Sequence, residues 1–172
     1  MIRMIVLVML AGSCAGLGFL KSQALSARVR DLFLLRKILR LLNGEISYAC
    51  TPLPDAFSRI GNKMEGSYRD FLQDVSADME RYEGESFEEI FEKNVDCHLK
   101  DTGLTRQDRE EWKQFGAMLG YLDREMQLST LRSFDETLEQ KIAELRDGLP
   151  QRKKLYQSLG VMGGLFLVIF LV

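Results

Sequence analysis

Two long stretches without a charged side chain, residues 4–20 and 155–172, bracket a segment that holds every one of the 25 acids in this 172-residue chain. That partition constrains the fold more than any motif does. The ends are too apolar to remain in water, while the middle is too charged to leave it. A helix crosses a bilayer with about 17–25 mostly apolar residues, and each stretch is long enough. The flanking cations set a direction. Lys21, Arg28, Arg30, Arg36, Lys37 and Arg40 follow the first stretch, and Arg152, Lys153 and Lys154 precede the second. Lys and Arg are retained on the cytoplasmic side. Both ends therefore predict one arrangement: an N-terminal transmembrane helix (1–20), a cytoplasmic domain (21–154) and a C-terminal transmembrane helix (155–172). A cleaved signal or lipoprotein peptide is the rival reading of the first stretch, because Ala11-Gly12-Ser13-Cys14 is like a lipoprotein cleavage box. The downstream cations argue against it. Gly160 and Gly164 form a G-x-x-x-G, through which the two membrane helices could pair.

The middle reads as helix throughout. Leu25, Val29, Leu32, Leu35, Leu39, Leu42 and Ile46 step by threes and fours, a heptad-like stripe. Gly44 is a possible break in it. Thr51-Pro52-Leu53-Pro54 stops this helix and restarts the chain, with Thr51 as N-cap and Pro52 as first helical residue. A short helix through Ala56, Phe57 and Ile60 then ends near Gly61-Asn62. Ser67 caps the next, whose stripe is Tyr68, Phe71, Leu72, Val75, Met79 and Tyr82, and Gly84 ends it. Ser86 and Glu89 form a capping box for a helix with Phe87, Ile90, Phe91, Val95 and Leu99 inward. Thr105 and Asp108 open the following one. Asp123 caps a last long helix with the stripe Leu128, Leu131, Phe134 or Asp135, Leu138, Ile142, Leu145 and Leu149. Gly148 and Pro150 mark a kink or brief break there. No useful run alternates as a strand would. The fold class is all-α: an antiparallel bundle of about six helices whose first and last helices enter the membrane.

The fifth helix carries the only tryptophan. Trp112, Phe115 and Leu119 share one face, and Gly116 and Gly120 stack on another. Glycine inside a helix costs about 1 kcal/mol relative to Ala. Two at this spacing predict that a neighbouring helix approaches there, so Trp112, Phe115, Gly116, Leu119 and Gly120 are assigned to helix packing.

Chemistry is hard to place. A formal net charge of −2 gives no reason to expect a nucleic-acid partner. The cysteines, Cys14, Cys50 and Cys97, have neither disulfide nor zinc spacing. Asp96-Cys97-His98 contains the only histidine, and neighbours in sequence on a helix diverge. There is no phosphate loop and no G-x-S-x-G. The reading is no catalytic residue, no metal and no cofactor, hence not an enzyme. Glu80, Glu83, Glu85, Glu88, Glu89 and Glu92 form an acidic run, mostly a solvated face. Glu88, Glu92, Asp123 and Gln127 are the candidate partner surface.

In this order, Glu45-Ile46-Ser47-Tyr48 with Thr51-Pro52-Leu53, Phe115-Gly116 with Leu119-Gly120, Asp123 and Gln127, and Ser158-Leu159-Gly160 with an apolar terminus resemble the stage III sporulation protein AB family over essentially the whole chain. Gly44 departs from that pattern. The resemblance implies a subunit of the channel-like complex joining mother cell and forespore. It also implies a soluble domain similar to the cytoplasmic domain of the type II secretion F protein, a six-helix bundle. The expected location is the mother-cell (outer forespore) membrane. The implied partners are the sporulation ATPase, stage III sporulation protein AA, and other channel subunits; a homo-oligomer is possible. The expected role is a non-enzymatic scaffold. The alternative is a membrane-bound signalling or regulatory bundle acting through partner docking.

Overall fold

The computed structural model describes the backbone of residues 2–49, 51–81, 84–120 and 123–171, and side chains within 23–49, 51–81, 84–120 and 123–147. Six helices, and among the described residues no strand, make up the chain: α1 (Ile2–Ser47), α2 (Leu53–Gly61), α3 (Gly66–Arg81), α4 (Phe87–His98), α5 (Arg106–Gly120) and α6 (Arg124–Leu171). Among the described residues no helix is long and apolar enough to cross a membrane. The two expected anchors fall on parts of α1 and α6 whose side chains lie outside the described residues.

The heptad-like stripe determines the architecture. Val29, Leu32, Leu35, Leu39, Leu42 and Ile46 are all buried, joined by Ile38 from outside the stripe. Each such side chain contributes about 1.5–3 kcal/mol by leaving water. Ile38 is buried too because α1 has two neighbours, α6 alongside it and α2 across it. α1 and α6 run antiparallel. Arg124 at the start of α6 bonds to Ile46 and Ser47 at the end of α1, while Arg36 pairs with Asp135 and Glu139 further along. Helices α2 to α5 pack in succession on one another, and the series closes on the pair through α2 against α1 and α5 against α6. The bundle therefore has a free end, where α1 finishes and α6 begins, and a stem end, where both continue beyond it.

Capping signals set most boundaries. Ser86 and Glu89 make the reciprocal box at the start of α4. Thr105 and Asp108 make the equivalent pair before α5, and Asp123 Oδ1 accepts from Met126 N at 2.9 Å. Two boundaries differ from expectation. Thr51 does not cap α2: its hydroxyl donates to Glu45 Oε2 at 3.2 Å, and Pro52 takes the cap position without a side-chain bond. Ser67 lies inside α3, which begins at Gly66 with φ +59°. Gly44 does not interrupt α1, and Gly148 and Pro150 do not interrupt α6. A Cβ at Gly44 would meet nothing within 4 Å. Gly44→Ala is therefore expected to raise stability by about 0.5–1 kcal/mol, read as a higher urea midpoint with unchanged slope.

The glycine face of α5 is packed, but by rings rather than by backbone. A Cβ at Gly116 would overlap Phe91 Cδ1, and one at Gly120 would lie 2.7 Å from Phe87 Cδ1. Phe91 is the hub of an aromatic cluster, with ring centroids 5.3 Å from Phe71, 5.8 Å from Trp112 and 6.4 Å from Phe115. The close backbone approach is at Gly103 instead. There a Cβ would lie 2.6 Å from the Ala27 carbonyl carbon of α1.

Candidate functional site at the free end of the bundle

The last carbonyls of a helix have no partner within it and carry partial negative charge. At the end of α1, Arg124 supplies both needs, donating to the Ile46 carbonyl at 3.0 Å and the Ser47 carbonyl at 2.6 Å. Gln127, being neutral, meets only the first of these needs for α5, donating to the Leu119 carbonyl at 3.0 Å. The turn after α1 is held by Tyr48 N to Gly44 O at 3.0 Å and Thr51 N to Glu45 O at 3.2 Å. The Glu45 carboxylate also faces Arg59 and Lys63, both at 3.5 Å. Residues scattered from 45 to 127 thus converge on one end of the bundle and fix its backbone. Tyr48 stands out from it, 91% exposed.

Two of the four predicted surface residues are occupied internally: Asp123 caps α6 and Gln127 closes α5. The other two, Glu88 and Glu92, are exposed on α4. Lys113 on α5 reaches Glu92 at 3.2 Å, Asp96 at 2.7 Å and Glu110 at 3.6 Å. Burial alone would lower the Lys113 pKa, but the bonds its ammonium donates to Asp96 and Glu92 win and raise it. Of the residues assigned to packing, Trp112, Phe115, Gly116 and Leu119 are buried, whereas Gly120 is exposed on its open side.

Asp96, Cys97 and His98 diverge. Asp96 turns to Lys113, His98 Nε2 lies 2.8 Å from Asp74, and Cys97 is exposed with a free thiol. Among the described residues no group of three or more His, Cys, Asp or Glu could hold a metal ion.

A buried charge cluster lies at the stem end, and the sequence shows only the capping part of it. Asp108, expected as a capping residue, has a fully buried side chain that takes Arg28 of α1 at 2.7 Å and Lys141 of α6 at 2.7 Å. Burial would raise this carboxyl. The bonds from Arg28, Lys141 and Thr105 overcome that and hold it well below the usual carboxylate range. A signal was available, because Asp108 stands one turn before Trp112 on the buried stripe, where a carboxylate needs paired cations. One α5 carboxylate therefore ties together the two helices that leave the bundle.

The fold is an all-α bundle whose two longest helices are paired and whose buried polar groups are tied by ion pairs between helices. The sequence model of stage III sporulation protein AB (spore_III_AB) matches residues 3–172, and the chain belongs to that family. Stage III sporulation protein AB of Bacillus subtilis (strain 168) is 25% identical over 172 residues, covering 100% of both chains. A solved structure of a stage III sporulation protein AB superposes with a TM-score of 0.64 at 25% identity, over 72% of this chain and 97% of that one.

Proposed function

We propose that this chain is a non-enzymatic, membrane-anchored scaffold subunit of a secretion-like sporulation complex between mother cell and forespore. In this reading both ends are retained as membrane helices, the bundle faces the mother-cell cytoplasm, and the free end links a cytoplasmic ATPase, stage III sporulation protein AA, to the membrane subunits. The observation that carries the reading is the pairing of α1 and α6. They leave the bundle together at one end and run on as helix through Ile2 and Leu171, over the two charge-free stretches of the sequence. The family supports a place among sporulation proteins. Glu88 and Glu92 belong to the docking face, while Asp123 and Gln127 serve it by holding its backbone.

Two measurements test this. The ATPase is expected to co-purify with the chain from membranes of sporulating cells that carry the full complex, and its absence there sinks the scaffold reading. Protease added outside spheroplasts is expected to spare residues 21–154. Cleavage there without lysis overturns the orientation, and a mature N-terminus at Cys14 removes the first anchor.

A further inference from the structure

We propose that the outward face of the α1–α6 pair is the contact of a twofold homodimer, in which α1 of each copy lies along α6 of the second copy and Tyr48 seats in a hollow on that helix. This rests on the anchoring in the reading above, which puts both stems in one bilayer and so sets the twofold axis along the helices. Arg30, Phe33, Lys37, Arg40, Gly44 and Tyr48 step by threes and fours, one face of α1. That face points away from the bundle: Arg30 and Arg40 keep 72% and 61% of their side chains exposed, Phe33 is 39% exposed and Tyr48 91%.

The face carries both signs, and they are sorted by helix. Beside Arg30, Lys37 and Arg40, α1 exposes no acid, because Asp31 and Glu45 keep only 5% and 14% of their side chains in water. From Glu125 onward, α6 exposes Glu125, Glu136, Glu139, Glu144 and Asp147 against Arg132 and Arg146. A partner of one sign is drawn to one helix and repelled by the other. A second copy, turned through the twofold, meets each helix with its opposite. The levels agree as well. Within one copy Arg36 meets Glu139 and Arg40 meets Asp135. The twofold keeps height, so Lys37 and Arg40 fall opposite Glu136 and Glu139 of the second copy, Arg30 opposite its Asp147, and Phe33 opposite its Ala143. Arg132 falls opposite Gly44, where no cation stands, and Arg146 lies over its own Phe33 ring, 5.8 Å from the centroid. Tyr48 is level with the start of α6, where Arg124 holds the end of α1. It therefore falls opposite a hollow of about 470 Å³ lined by Glu125, Leu128, Ser129, Arg132, Ser133 and Glu136. Leu128 offers the ring an apolar contact, and Glu125 an acceptor for its hydroxyl.

The test uses two differently tagged copies of the full chain, co-expressed in sporulating cells, each with Cys14, Cys50 and Cys97 replaced by serine. One carries Phe33→Cys and the other Ala143→Cys. A short bismaleimide applied to isolated membranes is expected to join the two tags. Phe33→Cys with Glu88→Cys is the control and is expected to join none, because α4 packs on α3 and α5 and lies off this face. Lys37→Glu in both copies is expected to lower the adduct about tenfold or more, and Lys37→Glu/Glu136→Lys to restore it to within about threefold. An adduct no stronger than the control, or one indifferent to Lys37→Glu, overturns the dimer. If the ATPase still co-purifies, that result leaves the scaffold reading standing; an adduct without the ATPase overturns the scaffold and leaves the dimer.

Discussion

Asp108→Ala is expected to destabilise the bundle by about 3 kcal/mol, the lower end of the range for removing one partner of a buried ion pair. The carboxylate is fully buried, and its removal strands Arg28 and leaves Lys141 with Glu111 alone, 2.7 Å away. Each of the two cations keeps about a fifth of its side chain in water, so neither is wholly orphaned and the upper end is not reached. The loss also opens the cap of α5, since Asp108 accepts from Thr105 N at 3.0 Å. Asp108→Asn keeps the shape but places an amide donor against two cations, and is expected to be nearly as costly. The double variant Asp108→Ala/Lys141→Met is expected to recover part of the loss. The same group predicts a pH dependence. Its carboxyl is held well below its ordinary value in the folded chain, so the unfolded chain binds the proton first as pH falls. The stabilisation is complete above about pH 5 and is lost progressively below about pH 4. Urea midpoints measured down to acid pH should show that slope in the native chain and a flatter one in Asp108→Ala. Parallel slopes would mean the carboxylate is not the group responsible.

The second large effect belongs to Phe91. It is fully buried and touches rings of α2, α3 and α5. Phe91→Ala is expected to cost about 3–5 kcal/mol in transfer and cavity energy. Gly116 gives this prediction a sharper form. Gly116→Ala alone drives a Cβ into Phe91 Cδ1, and overpacking of this kind costs about 1–3 kcal/mol despite alanine's better helix propensity. In the absence of the ring that methyl has room. Phe91→Ala/Gly116→Ala is thus expected to be more stable than the sum of the single variants by about 1 kcal/mol or more. Additive losses would show that the ring and the glycine do not meet.

What could be read in advance was the local grammar. Ser86 with Glu89, Thr105 with Asp108, and Asp123 each mark a helix start by satisfying orphan N–H groups, and each does so in the fold. Over the described residues the stripes of α1, α3 and α6 turn inward because burial follows period; Tyr82 and Leu149 lie outside those residues. Thr51 failed as a cap because a nearby carboxylate, Glu45, competed for its hydroxyl. Gly44, a possible break, does not stop α1, because Ile46 keeps the phase of the stripe and is buried with Leu42. The pairing of Arg36 with Asp135, 99 positions away, leaves no local trace, nor does the seating of Gly103 against α1. The free end was legible only as separate fragments; their convergence is a product of topology.

The antiparallel pair of α1 and α6 is fastened at three levels along its length: Arg124 on the last carbonyls of α1, Arg36 and Arg40 on Asp135, and Asp108 across Arg28 and Lys141. A slip by one turn, about 5.4 Å, would break all three at once. Three separate fastenings, each made of charged groups, therefore hold one register of the pair, and α1 and α6 keep it as a single rod.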